Sequence, residues 1–269
     1  DTAATCVNGP YQQELSLEIL KEVISQYPVD GVFFNMFGYQ TYDYSGRYVG
    51  ICQCESCKRR FLEYSGMELP AGEEETDPAF RRYKEFKRDT TTGLLNKIYR
   101  KVKQWNPEAA VCTYSHKGVD LVRNESNSAV DRPLPFWMMT SEDNVSCVKG
   151  TYSDRFSSNC VVNAVDIFYR FMGVSPYLNE LRLYGAMAAG GNLDWCIIGD
   201  FETYPDGQNF EGTRKVFSFH EKYERYLNCL ASCADILLVN PMEGKRAGTE
   251  YRGIFKMLKE AHLLFDVLD

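Results

Sequence analysis

The sequence lacks the short motifs that mark common nucleotide-binding and hydrolase sites. It contains no G-x-G-x-x-G after a strand and no G-x-x-x-x-G-K-[ST], so nothing in it predicts a nucleotide site. It also has no G-x-S-x-G, so the nucleophile elbow of the α/β-hydrolases is not predicted.

Clustered positive charge and long apolar runs are missing as well. The formal net charge is −7, and basic residues group only at positions 58–60 and 81–84. Nucleic acid is not an expected partner because phosphate neutralisation needs clustered cations. No apolar run is long enough to cross a bilayer, so no membrane partner is expected. No signal peptide follows Asp1, and we expect a cytoplasmic section of a longer protein.

Cysteine, in contrast, is abundant, with ten residues in 269. Three of them form C-x-C-x-x-C in the stretch GICQCESCKRR, and most others stand singly in apolar runs. C-x-C is a cramped spacing for two separate disulfides, so we favour thiols kept reduced in a cytoplasm.

Apolar periodicity predicts strands that alternate with helices along the whole chain. The strands are expected at residues 30–37, 109–116, 118–126, 160–168, 193–201, 234–241 and 263–269. The helices are expected at residues 11–26, 58–64, 78–105, 178–189, 212–226 and 249–261, with a further helix capped by Ser141. This order predicts a parallel α/β fold.

Five buried strands before residue 200 are too many for a small α/β domain. We therefore predict a (β/α)8 barrel without its first strands over residues 1–228. Residues 229–269 read as one β-α-β unit that begins a separate, doubly wound domain.

Polar residues at the carboxyl ends of the barrel strands are the candidate site residues, because barrel chemistry is located there. The best catalytic candidate is Glu125, which follows a strand and precedes a polar turn. Asp200 and Glu202 share one side of the segment GDFETYPDG, and either is a candidate second carboxylate. Asp166 is weaker, because pairing with Arg170 explains it equally well. For each carboxylate the alternative is a solvated turn.

Substrate-binding candidates come from the same strand ends. Asn35 ends an apolar strand, where an amide suits a sugar hydroxyl, and His116 follows the next strand. Aromatic side chains near the expected mouth suit stacking on sugar rings, with ordinary packing as the alternative. They are Phe37, Tyr39, Tyr42, Tyr44 and Trp137.

With these elements placed, the chain resembles the family 42 glycoside hydrolases and a related group of glycoside hydrolases. TCVNGPY, VDGVFFNMFG and CQCESC resemble the central barrel section, and RLYGAMAAGGNLDWCIIGDF resembles the last barrel helix and strand. ADILLVNP to LLFDVLD is similar to the opening of the flavodoxin-like trimerisation domain. The resemblance implies barrel strands 4–8, a β-galactosidase-like hydrolase and a homotrimer.

The resemblance also assigns residues. It implies a structural zinc held by Cys6, Cys52, Cys54 and Cys57. Four thiolates close a tetrahedral zinc shell, and a closed shell is structural; free or oxidised cysteines in a surface loop are the alternative. In the family an Asn-Glu pair ends strand 4, and the Glu is the general acid/base. This chain has Asn35 followed by Met36, whose thioether transfers no proton. We expect a glycoside hydrolase that cleaves a small glycoside or oligosaccharide with Glu125 and Asp200 or Glu202; a barrel that binds carbohydrate without cleaving it, or is purely structural, is the alternative.

Overall fold

The computed structural model describes residues 4–43, 45–130, 136–228, 230–241 and 245–269, leaving aside the side chains of residues 136–137 and 245–247. The chain forms two compact units that divide between Asp120 and Leu121. Within the described residues, no helix is both long enough and apolar enough to cross a membrane.

The first unit joins two parallel strands to three helical segments. A π-helical turn, Tyr11–Leu15, runs directly into α1, Ser16–Gln26. Strand β1, Gly31–Phe33, is followed by α2, Glu55–Ser65, α3, Pro78–Trp105, and β2, Ala110–Thr113. Strands β1 and β2 are parallel, and Gly31 lies opposite Ala110. A Cβ at Gly31 would lie 2.6 Å from the Ala110 carbonyl oxygen, so only glycine fits this close pairing.

Local capping signals set the ends of the helices in this unit. The Asp77 side chain accepts a hydrogen bond from the Ala79 amide at 2.8 Å, and Pro78 occupies the first turn of α3. Helix α2 ends at Gly66, whose φ of 69° is left-handed. An aromatic core packs between the two helices, formed by Ile51, Phe61, Phe80, Tyr83 and Phe86.

Strand β1 is shorter than the sequence predicts, because its pairing ends at Phe33. The chain turns immediately afterwards, and Met36 adopts a left-handed φ of 53°. Residues other than glycine seldom adopt this conformation, and nothing in the apolar pattern of residues 30–37 predicts the turn. The candidate site residue Asn35 therefore lies in the turn, two residues after the end of β1.

The second unit begins with three parallel strands and their helices. The strands are β3, Leu121–Ser126, β4, Phe156–Val162, and β5, Asn192–Cys196, paired in that order. The helices are α4, Phe136–Thr151, α5, Pro176–Ala188, and α6, Gln208–Leu227. The parallel alternation of strand and helix that the sequence predicts is confirmed for these elements.

The two faces of the β3–β5 sheet have different surroundings. On one face Val161 of β4 packs against Leu183 of α5 and Val216 of α6. Because successive strand residues alternate between faces, Glu125 and its neighbours Cys160 and Asp194 lie on the opposite face. In a barrel this opposite face is the interior.

Ser141 does not cap a helix, and the predicted start of α4 is wrong. The helix begins five residues earlier, at Phe136, and Ser141 is buried within it. The Ser141 hydroxyl donates a hydrogen bond to the Arg182 carbonyl of α5 at 2.7 Å. A serine followed by two acidic residues is a typical cap, but here the hydroxyl joins two helices instead.

The chain ends with β6, Ile236–Val239, α7, Lys245–Glu260, and β7, Phe265–Leu268. Strands β6 and β7 pair in parallel, as the sequence predicts. Leu238, Tyr251, Phe255 and Val267 form a core that also takes in Met139 and Cys147 of α4. This β-α-β segment is therefore packed on α4 inside the second unit.

Candidate functional site

The four predicted metal ligands lie together in the first unit. Their sulfur atoms all fall within 4.8 Å of one another, with Cys6 at 3.3 Å from Cys57 and 3.4 Å from Cys54. None of the four forms a disulfide. Cys54 precedes α2 and Cys57 lies in its first turn, so the helix brings two sulfurs to the same end.

Asn8 supports this four-cysteine site from behind. Its backbone amide donates to the Cys6 sulfur at 3.3 Å, and its side-chain amide donates to the Cys57 sulfur at 3.4 Å. The Cys57 thiol, as hydrogen-bond donor, lowers the pKa of Cys6 to about 5, although burial opposes the shift. The same contact, together with burial, raises the pKa of Cys57. The site therefore favours negative charge on sulfur at Cys6.

The donor set fits a tetrahedral metal ion. Four sulfurs at ~2.3 Å from zinc are spaced about 3.8 Å apart, close to the observed separations. N–H donors directed at the sulfurs, as from Asn8, support thiolate ligands. Four cysteines would leave no open coordination position, so a metal here would be structural.

Asn35 opens into a cleft of about 500 Å³ in the first unit. Its walls are mainly apolar and aromatic, with a few amides and one carboxylate, Asp43. They include Phe33, Phe34, Phe37, Tyr42 and Val49. Tyr114 donates its hydroxyl to the Asn35 side-chain oxygen at 3.1 Å, which orients the amide. Apolar walls with a few fixed polar groups are typical of small-molecule sites.

Met36 lies in this cleft and is 50% exposed. Its left-handed backbone is an observed strain of the kind that clusters at binding sites. The neighbouring backbone is held in place, since the Thr113 hydroxyl donates to the Phe34 carbonyl at 2.7 Å. The chain is therefore anchored to β2 two residues before Met36.

The other predicted substrate-binding residues are spread over both units of the chain. His116 is half-buried in the bend that follows β2. Tyr39 and Tyr42 belong to the loop beyond Asn35. Tyr44 lies outside the described residues. Trp137 belongs to α4 of the second unit, but its side chain lies outside the description.

Glu125 lies in an ionic cluster on the face of the β3–β5 sheet that is opposite the helices. Its carboxylate accepts a hydrogen bond from Arg123 at 2.9 Å and one from the Asn127 amide at 3.2 Å. Arg123 also donates to Asp194 of β5 at 2.5 Å. Burial lowers the pKa of Arg123, but the negative groups around it, Asp194 and Glu125 among them, raise it overall. One guanidinium therefore pairs with two carboxylates, one from β3 and one from β5.

Asp200 and Glu202 are exposed in the turn after β5. The Asp200 carboxylate accepts the Glu202 amide hydrogen at 3.0 Å, as in an Asx turn. Asp166 is buried and accepts the backbone amides of Phe168 at 3.1 Å and Val130 at 3.0 Å. These two contacts give Asp166 a role in holding loops.

Asp194 and Arg123 were not singled out from the sequence. Asp194 falls inside a predicted apolar strand, and nothing local marks it as a partner of Glu125. The signal is strand alternation: residues 123 and 125 share a face, and register then places Asp194 level with Glu125 two strands away. Register between strands is not contained in either strand alone.

No protein-family profile and no curated protein sequence matches the chain. Solved structures do match it. A GH42 β-galactosidase from G. stearothermophilus, a catalytic mutant, matches with a TM-score of 0.72 and 13% identity, over 98% of this chain and 49% of that one. The chain has the fold of part of a (β/α)8 barrel.

Two further structures agree with this. Alpha-L-fucosidase isoenzyme 2 from Paenibacillus thiaminolyticus gives a TM-score of 0.67 and 19% identity, over 98% of this chain and 39% of that one. The β-galactosidase from Bacillus circulans sp. alkalophilus gives a TM-score of 0.66 and 14% identity, over 98% of this chain and 49% of that one. The chain thus spans about half or less of these proteins, and the likeness concerns the fold.

Proposed function

We propose that the chain is a large part of a β-galactosidase-like glycoside hydrolase that cleaves a small glycoside or an oligosaccharide. The observation that carries the proposal is the position of Glu125, on the sheet face away from the helices and paired with the half-buried Arg123. In a barrel of this kind that face leads to the mouth, where substrates are bound. The matched structures are glycosidases, and they suggest the reaction class that we propose.

Cleavage of a glycosidic bond needs two carboxyl groups, and we assign one role to Glu125. The two carboxyl groups are ~5 Å apart in enzymes that retain the anomeric configuration and ~6.5–9.5 Å apart in enzymes that invert it. For the second group we propose Asp200 or Glu202, which are exposed in the loop after β5. Asp194 is an additional candidate, since it shares Arg123 with Glu125. An Arg123 ion pair stabilises the charged form, which suits a nucleophile better than an acid.

The second candidate function is a barrel that binds carbohydrate without cleaving it. Met36 supports this reading, because it occupies the position after Asn35 where the resembling family has its acid/base. The Asn35 cleft would remain a binding site, with an oriented amide among aromatic walls. His116, Tyr44 and Trp137 are proposed as further contacts to sugar in either case.

We propose that zinc occupies the four-cysteine site. Cys6, Cys52, Cys54 and Cys57 would hold it. Bound zinc would supply a structural cross-link between the segment before α1 and the start of α2, without taking part in the reaction. Its detection by metal analysis is independent of any activity.

We also propose that residues 1–228 belong to the barrel and that residues 229–269 begin a flavodoxin-like domain. In the full-length protein this domain would support a homotrimer. We propose a cytoplasmic location for that protein. Light scattering of the full-length protein tests the assembly, and a monomer would contradict it.

A panel of chromogenic glycosides separates the two functions. Turnover of any member above the rate of buffer supports the hydrolase. Calorimetric binding of a monosaccharide, without turnover of its nitrophenyl glycoside, supports the binding barrel. If no member of the panel is turned over and none is bound, both candidates are contradicted.

A further inference from the structure

The four-cysteine site and the Asn35 cleft share two short segments of chain. Thr5 and Val7 line the cleft, and Cys6 between them is a proposed ligand. Gly38 and Gln40 also line the cleft, and Tyr39 between them turns toward Asn8. Each segment therefore presents alternate residues to the cleft and to the four-cysteine site.

A chain of hydrogen bonds connects the two segments. The Asn8 side-chain amide, which donates to Cys57, also donates to the Tyr39 hydroxyl at 2.6 Å. The Tyr39 hydroxyl is in turn 2.7 Å from the Thr90 hydroxyl of α3. Burial raises the pKa of Tyr39 to about 12, so its hydroxyl is protonated at neutral pH and can donate a hydrogen bond.

Packing makes this connection stiff. Asn8 is only 4% exposed, so its amide has little freedom to turn to water. The Tyr39 ring contacts Tyr83 edge-on at 6.2 Å and lies 6.5 Å from Phe86, both in the aromatic core between α2 and α3. A buried polar side chain that lost its partner here would carry a desolvation cost.

We propose that Asn8 and Tyr39 are positioning residues through which the four-cysteine site fixes the wall of the Asn35 cleft. An intact site holds Asn8, Asn8 holds Tyr39, and Tyr39 holds the loop from Asn35 to Tyr42. Loss of the site, by chelation or by oxidation of its thiols, then loosens the cleft. The metal-dependent part rests on the proposed zinc, whereas the hydrogen-bonded link does not.

The test measures backbone hydrogen exchange in peptides that cover residues 33–43. Tyr39→Phe removes the shared hydroxyl and keeps the ring, so the variant is expected to fold. Tyr64→Phe is the matched control, because its hydroxyl donates to Asp89 in the same unit and makes no contact with Asn8. Asn8→Ala is a second variant, and residues 156–162 of β4 serve as the internal reference.

In the wild type, chelation of the metal is expected to raise exchange of residues 33–43 about tenfold, as local opening becomes easier. Tyr39→Phe should show raised exchange before chelation, with little further change after it. Its zinc content and its thiolate-to-cobalt absorption should equal those of the wild type, which shows that the metal shell is intact. Tyr64→Phe should behave as the wild type does.

The proposal is overturned if Tyr39→Phe exchanges like Tyr64→Phe at residues 33–43. It is also overturned if chelation loosens residues 5–9 and 52–57 but leaves residues 33–43 unchanged. A protein purified without zinc would refute the proposed metal instead, and Tyr39→Phe against Tyr64→Phe would still decide the link.

Discussion

Single side chains carry most of the chemistry inferred here, and Tyr39 shows how burial sets their properties. Its hydroxyl lies between Asn8 and Thr90, away from bulk water. Burial disfavours the phenolate and raises the pKa to about 12. The side chain is thereby kept as a hydrogen-bond donor across the physiological range.

This shift predicts a pH-dependent stability. The folded pKa lies above the unfolded value of about 10, so Tyr39 contributes stability fully below pH 10 and loses it as pH rises toward 12. Between pH 8 and pH 11 the wild type should lose about 1 kcal/mol more free energy of unfolding than Tyr39→Phe. Urea unfolding at the two pH values measures this. Equal losses in the two proteins would refute the assigned burial.

At the scale of elements, α2 and the segment before the π-helical turn are joined by the cysteines. Cys57 is fully buried in the first turn of α2, and Cys6 reaches it from a segment 51 residues earlier. Zinc bound there as proposed would cross-link the two segments and so stabilise the fold.

Replacing one ligand should therefore cost both metal and stability. For Cys57→Ser we expect zinc to fall from one ion per chain to well below half an ion. We also expect the thermal midpoint to fall by several degrees, as the loss of a structural metal implies. Cys233→Ser is the matched control, because Cys233 is exposed and outside the site. Equal zinc contents by metal analysis would contradict the ligand assignment.

The helices and strands also show which structural features could be predicted from the sequence and which could not. The range of α3 is predicted to the residue because Asp77 and Pro78 mark its start and Asn106 its end. The cysteine cluster is found from its local spacing, with Cys6 added by resemblance. Ser141 misleads because a contact with α5 overrides the local signal, and the Arg123–Asp194 pair depends on strand register. The left-handed turn at Met36 has no glycine to announce it.

At the scale of the whole molecule, the terminal β6-α7-β7 segment is held to α4 by close backbone contact. Gly150 of α4 lies against the backbone of Val267, and a Cβ there would collide with its carbonyl oxygen. The Tyr251 hydroxyl donates to Asp143 at 2.5 Å, and Lys259 pairs with Glu142. Apolar, polar and ionic contacts thus converge on one face of α4.

Gly150→Ala should loosen this attachment. The added methyl group forces β7 away from α4, at a cost of about 1–3 kcal/mol. We expect faster proteolysis within residues 230–269 and a lower thermal midpoint. Gly253→Ala in α7 is the control, because a Cβ there meets nothing within 4 Å. If both variants are cleaved at the wild-type rate, the close contact at Gly150 does not hold the segment.

The central claim is that Glu125 is a carboxylate of a glycoside hydrolase, and its most direct test is turnover by Glu125→Gln. Glutamine keeps the shape of the side chain and removes its charge. On the best substrate of the glycoside panel, we expect kcat/KM to fall at least about 100-fold, with the thermal midpoint little changed. Glu211→Gln, on the exposed surface of α6, should retain wild-type turnover. Wild-type turnover by Glu125→Gln would contradict the account.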